Sequence, residues 1–287
     1  MLFRHWFLSS LAVCGVIFNP ALAQAQLAVP YTPEVNSEVL SPYGRQLLQD
    51  AVQLIRFREF DLALSRARLA AQLSPNQYET WFILGTLYVQ TQENQAGVNA
   101  LLRAKELAPD EAEVLFSLGN SYFQLGDYEA SIREINAGLR ITREVPQAFF
   151  DLGNAHLQLR QFPDAIASYQ EAVELQSDFW PAINNIGLAE YEKGNKDGAI
   201  AFWQEALEID EAQAEPHLAI AVALYTQGKQ AQALQLAEEA LTLDGMYGNE
   251  EYLIRNLWGD NLMEDTRVFF ANPSMKRILE RRLVPLD

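Results

Sequence analysis

Glycine recurs at Gly85, Gly119, Gly153 and Gly187, 34 residues apart each time, and one further step reaches Ala221, the next smallest side chain. Leu84, Leu118, Leu152, Ile186 and Ile220 precede these positions in the same step, while Ala70, Ala104, Gly138, Ala172, Ala206 and Ala240 recur in the second half of the unit. The register runs without insertion or deletion from Gly44 to Tyr247, six units in all. A fixed period of this length means one supersecondary unit repeated in space, each copy burying its apolar face against its neighbours. The units therefore form one elongated body rather than several independent globular domains.

Within the unit from Trp81 to Pro109, Trp81, Leu84, Gly85 and Tyr88 follow the pattern W-x2-L-G-x2-Y, and Ala104 and Pro109 complete it. On these residues the chain resembles tetratricopeptide repeat proteins over about seven tenths of its length. The resemblance implies an all-α, right-handed solenoid of six 34-residue helical hairpins over residues 44–247, with residues 248–287 as a helical C-terminal cap. It also implies a concave groove lined by the first helix of each hairpin, at the second, fifth, ninth, twelfth and thirteenth positions of the unit. Carried onto this chain, the fifth position supplies Phe82, Phe116, Phe150 and Asn184, and the ninth Thr86, Asn120 and Asn154. The twelfth supplies Phe123, Tyr191 and Tyr225, and the thirteenth Gln90, Gln124 and Gln158.

These residues form the expected partner-binding site: an aromatic ladder beside amides suited to the backbone of an extended peptide. A contiguous apolar stripe is costly unless covered, and central aromatic anchors carry much of the binding energy at interfaces. Phe116 and Phe150 stand where chaperone-binding relatives use lysine to clamp a C-terminal carboxylate, which argues against that class of ligand.

The net charge of -17 repels nucleic acid and anionic head groups, so no nucleic-acid partner is expected. Residues 1–23 have the plan of an export signal: Arg4 and His5, an apolar run from Phe7 to Phe18, then Pro20 and the small-residue site Ala21-Leu22-Ala23. The run falls short of the about 20 residues that span a bilayer. Cleavage after Ala23 is the first reading, and an uncleaved N-terminal membrane anchor the second. In both, the charge asymmetry places the repeats across the membrane. Cys14, the sole cysteine, lies inside the apolar run, so on the cleaved reading the mature chain is expected to have no disulfide and no thiolate chemistry.

Residues 24–43, with Pro30 and Pro33, are expected to be a linker. Ser41 and Pro42 are expected to cap and open the first helix. Asn76 with Glu79, and Asp110 with Glu113, have the spacing of capping boxes. Gly126, Gly194 and Gly228 mark turns between paired helices, and Tyr169 and Trp203 are expected in the core. Past Tyr247 the period stops, but Glu250 to Leu257 and Met275 to Leu283 still read as helices separated by Asn272-Pro273. Lys276, Arg277, Arg281 and Arg282 suit a helix C-terminus.

No constellation for chemistry appears. His156 and His217 lack a second ligand at metal spacing, the acids lie on solvated faces such as Glu171, Glu174, Glu205 and Glu208, and no phosphate loop or nucleophile elbow is present. A non-enzymatic protein without cofactor or metal is expected. The tail from Tyr252 to Asp260, with the short apolar N-terminus, resembles thylakoid tetratricopeptide proteins of cyanobacteria and chloroplasts of the Pitt type. That resemblance implies a thylakoid location and light-dependent protochlorophyllide oxidoreductase as partner. Two alternatives stand beside it: a periplasmic or lumenal assembly factor for a membrane complex, and a structural component of the cell envelope.

Overall fold

A computed structural model describes residues 37–283. The N-terminal segment 1–23, the linker up to residue 36 and the last four residues lie outside the described residues. Fifteen α-helices and no strand are found among the described residues. Twelve of them pack as successive antiparallel hairpins: α1 (Ser37–Arg56) with α2 (Phe60–Leu73), α3 (Tyr78–Gln90) with α4 (Asn94–Leu107), and α5 (Ala112–Gln124) with α6 (Tyr128–Leu139). Then come α7 (Pro146–Gln158) with α8 (Phe162–Leu175), α9 (Trp180–Glu192) with α10 (Lys196–Ile209), and α11 (Ala214–Thr226) with α12 (Gln230–Leu243). Each second helix also packs on the first helix of the next hairpin, which propagates the stack.

The periodic glycines permit close approach. A Cβ on Gly85 would lie 2.6 Å from Leu101, on Gly119 2.5 Å from Ile135, on Gly153 2.4 Å from Tyr169 and on Gly187 2.4 Å from Trp203. Those larger partners occupy one register position in the paired helix. In the first and last hairpins the same two positions hold Ala51 with Ala67 and Ala221 with Ala237, all fully buried. Volume is thus balanced across the hairpin: glycine faces a large side chain, alanine faces alanine. Tyr169 and Trp203 are core residues as expected, each 0% exposed. Gly119→Ala should cost about 1–3 kcal/mol through overpacking, and Ile135→Ala about 2–5 through the cavity. Combined, they recreate the alanine pair of the end hairpins. Urea denaturation should show the double variant at least ~1 kcal/mol more stable than the sum of the singles, a coupling of the size that contacting pairs show.

Turns within the hairpins also keep register. Gly126, Gly194 and Gly228 have φ of +79°, +88° and +78°, and Arg58, Gln92 and Arg160 take the same left-handed conformation at the equivalent position. The first hairpin differs from the rest on one side: Gln46, Asp50 and Gln53 are exposed where later units bury Thr80, Leu84 and Leu87, although Val39, Tyr43, Phe57, Leu62 and Leu69 of the same hairpin are exposed as well.

Three local expectations are corrected. Helix α1 begins at Ser37 and holds Pro42 in its interior, so Ser41 is not its cap. Instead the Ser41 carbonyl accepts a hydrogen bond from the Ser74 hydroxyl, which ties the helix to the end of its own hairpin. Nor do the capping boxes form. Helices α3 and α5 start one residue later than the spacing requires, with Gln77 and Glu111 at their N-caps and no side-chain bond from either. The turn before α3 is held by Thr80, whose hydroxyl donates to the carbonyls of Ser74 and Gln77, and by the Trp81 indole, which donates to the Pro75 carbonyl.

The tail forms a short 3-10 turn at Gly245–Gly248 and three helices, α13 (Glu250–Arg255), α14 (Asp260–Phe270) and α15 (Pro273–Leu283). Asn272 caps the last, its Oδ1 accepting the amides of Ser274 and Met275. Helix α15 packs on α12 and shields the end of the stack, as a cap should. Helix α14 does something different, because it packs on α9 and α11.

Candidate partner-binding groove

Helices α9 and α11 are the first helices of the fifth and sixth hairpins, so α14 lies in the concave groove itself. Leu253, Trp258, Leu262, Met263, Phe269 and Phe270 of the tail join the core that runs through the last three hairpins. Glu192 seats the start of α14: its Oε2 and Oε1 accept the backbone amides of Asn261 and Leu262 at 3.2 and 3.0 Å. A carboxylate at a helix N-terminus meets both unpaired amides and the positive end of the dipole. Asp265 accepts from the Tyr191 hydroxyl and from Lys196 Nζ, each at 2.6 Å. The rings of Tyr225 and Phe269 stack with centroids 4.7 Å apart.

The expected groove therefore divides. Asn184 and Tyr191, at 1% and 0% exposure, and the half-buried Tyr225 are covered by the chain's own tail and offer no surface to a partner. This corrects the expectation of a groove open along all its units. The physical cause is the apolar stripe of the tail, which finds in the last two hairpins the cover it needs. Phe82, Thr86, Gln90, Phe116, Asn120, Phe123, Gln124, Phe150, Asn154 and Gln158 stay at least partly accessible on α3, α5 and α7, except that the rings are wedged more deeply than an exposed ladder would be. Phe116 lies against Gly138, where an added Cβ would come within 2.4 Å of the ring, and Phe150 packs on Tyr169 and edge-on against Phe179.

The amides are also partly engaged. Asn154 Oδ1 accepts from the Tyr169 hydroxyl at 2.8 Å and from Asn185 Nδ2 at 2.9 Å, so its acceptor serves the fold before any peptide. Thr86 donates to the Ile83 carbonyl of its own helix.

Between the open and filled halves stands a wall. Residues 255–260 cross the groove and border two clefts. One, of about 310 Å³, is lined among others by Phe123, Phe150, Trp180, Arg255 and Leu257; the other by Leu157, Gln158, Leu257 and Trp258. Leu257 borders both and has φ of +66°, a conformation that costs a residue with a side chain roughly 1–2 kcal/mol. The wall is anchored from below by Trp258, whose indole donates to Glu215 Oε1 at 2.9 Å. Burial pushes the Glu215 carboxyl up to about 7, offset in part by hydrogen bonds from Trp258, Asn184 and Tyr247. Asn184 Oδ1 is buried without a hydrogen-bond partner among the described residues.

Register alone places Glu192 at a thirteenth, groove-facing position, but sequence reasoning missed Lys196, Glu215, Leu257, Trp258 and Asp265 as groove residues. A signal was present, since the series Gln90, Gln124, Gln158 breaks to Glu192 and the series Phe82, Phe116, Phe150 breaks to Asn184, both where the tail enters. His156 Nδ1 pairs with Gln161 and His217 Nδ1 with the Gln213 carbonyl, and no cluster suited to a metal ion exists among the described residues. No helix among the described residues is long and apolar enough to cross a membrane.

Stacked helical hairpins around a concave groove define a helical-repeat scaffold. Tetratricopeptide repeat models match residues 78–111, 150–216 and 218–243, and a further model described as TPR repeat matches 119–160; the chain is a tetratricopeptide repeat protein. No curated protein matches it. Among solved structures it is similar to MamA 41-end from Desulfovibrio magneticus RS-1, at 17% identity over 59% of this chain and 96% of that one, with a TM-score of 0.56. It is also similar to YrrB, described as a TPR protein with an unusual peptide-binding site, at 20% identity over 66% and 96%, TM-score 0.51. A third is the APC/C hetero-tetramer Cut9-Hcn1, at 15% identity over 87% of this chain and 46% of that chain, TM-score 0.60. At these identities the likeness is one of fold.

Proposed function

We propose that the protein is a non-catalytic scaffold that holds a segment of a partner protein in the open half of its groove, on α3, α5 and α7. The observation that carries this reading is the division of the groove: the chain covers its own apolar surface over the last two hairpins and leaves Phe82, Phe116, Phe123 and Phe150 partly accessible over the preceding ones. The peptide-binding site named for YrrB, a protein of the same fold, accords with it. The cap that α15 places on the last hairpin disfavours the envelope-polymer alternative, which needs an exposed apolar face at that end.

For location we propose export or membrane attachment through residues 1–23. On the Pitt-type resemblance the partner is light-dependent protochlorophyllide oxidoreductase, which the scaffold stabilises at the thylakoid. The charge asymmetry around the N-terminal apolar run favours the second reading, a periplasmic or lumenal assembly factor for a photosynthetic or other membrane complex.

A photo-crosslinking residue at the exposed Gln124 should capture a partner in the native host, whereas the same residue at the exposed Glu239, on the far side of the last hairpin, should not. Phe116→Leu with Phe150→Leu keeps the core packed and should cut the Gln124 adduct at least fivefold. Equal adducts at both positions would rule out the groove as the docking face. Mass spectrometry of the adduct separates the two partner readings.

A further inference from the structure

The first hairpin exposes a face that every later hairpin buries. On α1, Val39, Tyr43, Gln46, Asp50, Gln53 and Phe57 stand at i, i+4, i+7, i+11, i+14 and i+18, a single stripe along one side of the helix. Phe57 continues the spiral one residue past the helix end, its amide still bonded to the Gln53 carbonyl at 3.3 Å. Val39, Tyr43 and Phe57 are each more than half exposed. The equivalents of the central three, Thr80, Leu84 and Leu87, are buried on α3, which packs on α2. The stripe is therefore a stacking face, and no hairpin of this chain lies against it among the described residues.

Its chemistry and charge select what covers it. The apolar residues lie at the two ends and the polar ones in the middle, so a bilayer that buried Val39 and Phe57 would also bury the Asp50 carboxylate between them, at high cost. A second copy of the same stripe avoids that cost. Positions 46 and 50, 43 and 53, and 39 and 57 lie symmetrically about Leu48. Two α1 helices laid antiparallel across a two-fold axis thus set Val39 against Phe57, Tyr43 against Gln53, and the amide donor of Gln46 against the Asp50 carboxylate. Charge favours the same end. Residues 37–74 hold five arginines against four acids, in a chain of net charge -17. Copies that meet here repel least, and most acids lie further back than the about 8 Å over which salt screens them. We infer that the protein forms a two-fold dimer joined through α1. Because α15 packs over the other end, association stops at two. The inference is independent of the groove reading, since it uses a different face.

Light scattering of the full chain in a mild detergent should give the mass of a dimer. Val39→Lys with Phe57→Lys should weaken that dimer at least tenfold and leave the helical circular dichroism unchanged, because both side chains are exposed. Leu243→Lys, at an exposed leucine of the last hairpin, should leave the dimer as it is. In a Cys14→Ser background, a Val39→Cys chain mixed with a Phe57→Cys chain should give a disulfide-linked dimer on mild oxidation. Neither chain should do so alone, since like positions stand about 27 Å apart across the antiparallel pair. Linkage in the Val39→Cys chain by itself would overturn the antiparallel register. A parent of monomer mass would overturn the dimer. In that case, dimers formed once residues 24–36 are deleted would make that segment the cover, and Phe57-dependent sedimentation with phosphatidylglycerol vesicles would make it an anionic membrane. Crosslinking at Gln124 decides the scaffold reading separately.

Discussion

A chain ending at Gly248 is expected to lose the ordered structure of its last two hairpins. Truncation removes Leu253, Trp258, Leu262, Met263, Phe269 and Met275, none more than 4% exposed, and uncovers Leu188, Leu218 and Val222 beneath them. Each fully buried side chain of this size contributes about 1.5–3 kcal/mol, so the loss is on the order of 10 kcal/mol, comparable with the whole stability of a typical domain. Stacked repeats unfold by neighbourhood rather than all at once. Hydrogen exchange should therefore show lost protection in α9 to α12 and retained protection in α1 to α6. A truncated chain that melts cooperatively within about 5 °C of the parent would show that the tail is an appendage and not part of the last two hairpins' core.

Glu215→Gln should stabilise the protein at pH 8 and flatten its pH dependence between about 4.5 and 7. The carboxyl lies buried with its folded value raised from 4.5 to about 7. In that window the folded state holds a proton that the unfolded state has released, so stability is fully present below 4.5, falls as pH rises, and is lost by about 7. A shift of this size corresponds to about 3 kcal/mol at 1.36 kcal/mol per unit. The glutamine still accepts from the Trp258 indole and adds a donor beside Asn184, whose Oδ1 has no partner among the described residues. Urea denaturation of both proteins at pH 5 and pH 8 isolates the effect, because every other titrating group is common to the two. A parent-minus-variant difference that does not change with pH would mean that Glu215 is ionised at both.

The stack was legible because a repeat states the same requirement many times. One glycine at Gly119 proves little, but four in step, each opposite a large residue, leave only a close helix pair. Local caps were less legible. Asn76 and Glu79 have the right spacing for a box, yet the helix begins where the turn held by Thr80 and Trp81 lets it begin, a tertiary decision that local spacing does not contain. The groove was half legible for the same reason. Phe123 and Gln124 follow from register alone, but whether Tyr191 is surface or core depends on where a non-periodic tail folds, and no period reports that. The departures at Asn184 and Glu192 marked the place without naming its occupant.

The wall at Leu257 closes one end of an otherwise continuous trough. Packed helices stand about 8–10 Å apart, so the two steps from α3 through α5 to α7 give roughly 16–20 Å of track. At 1.5 Å per residue this accommodates about 11–13 residues of helix. On the proposed reading of the groove, a segment entering from the far side would come to rest against a fixed stop, and its length and polarity would be selected along with its side chains.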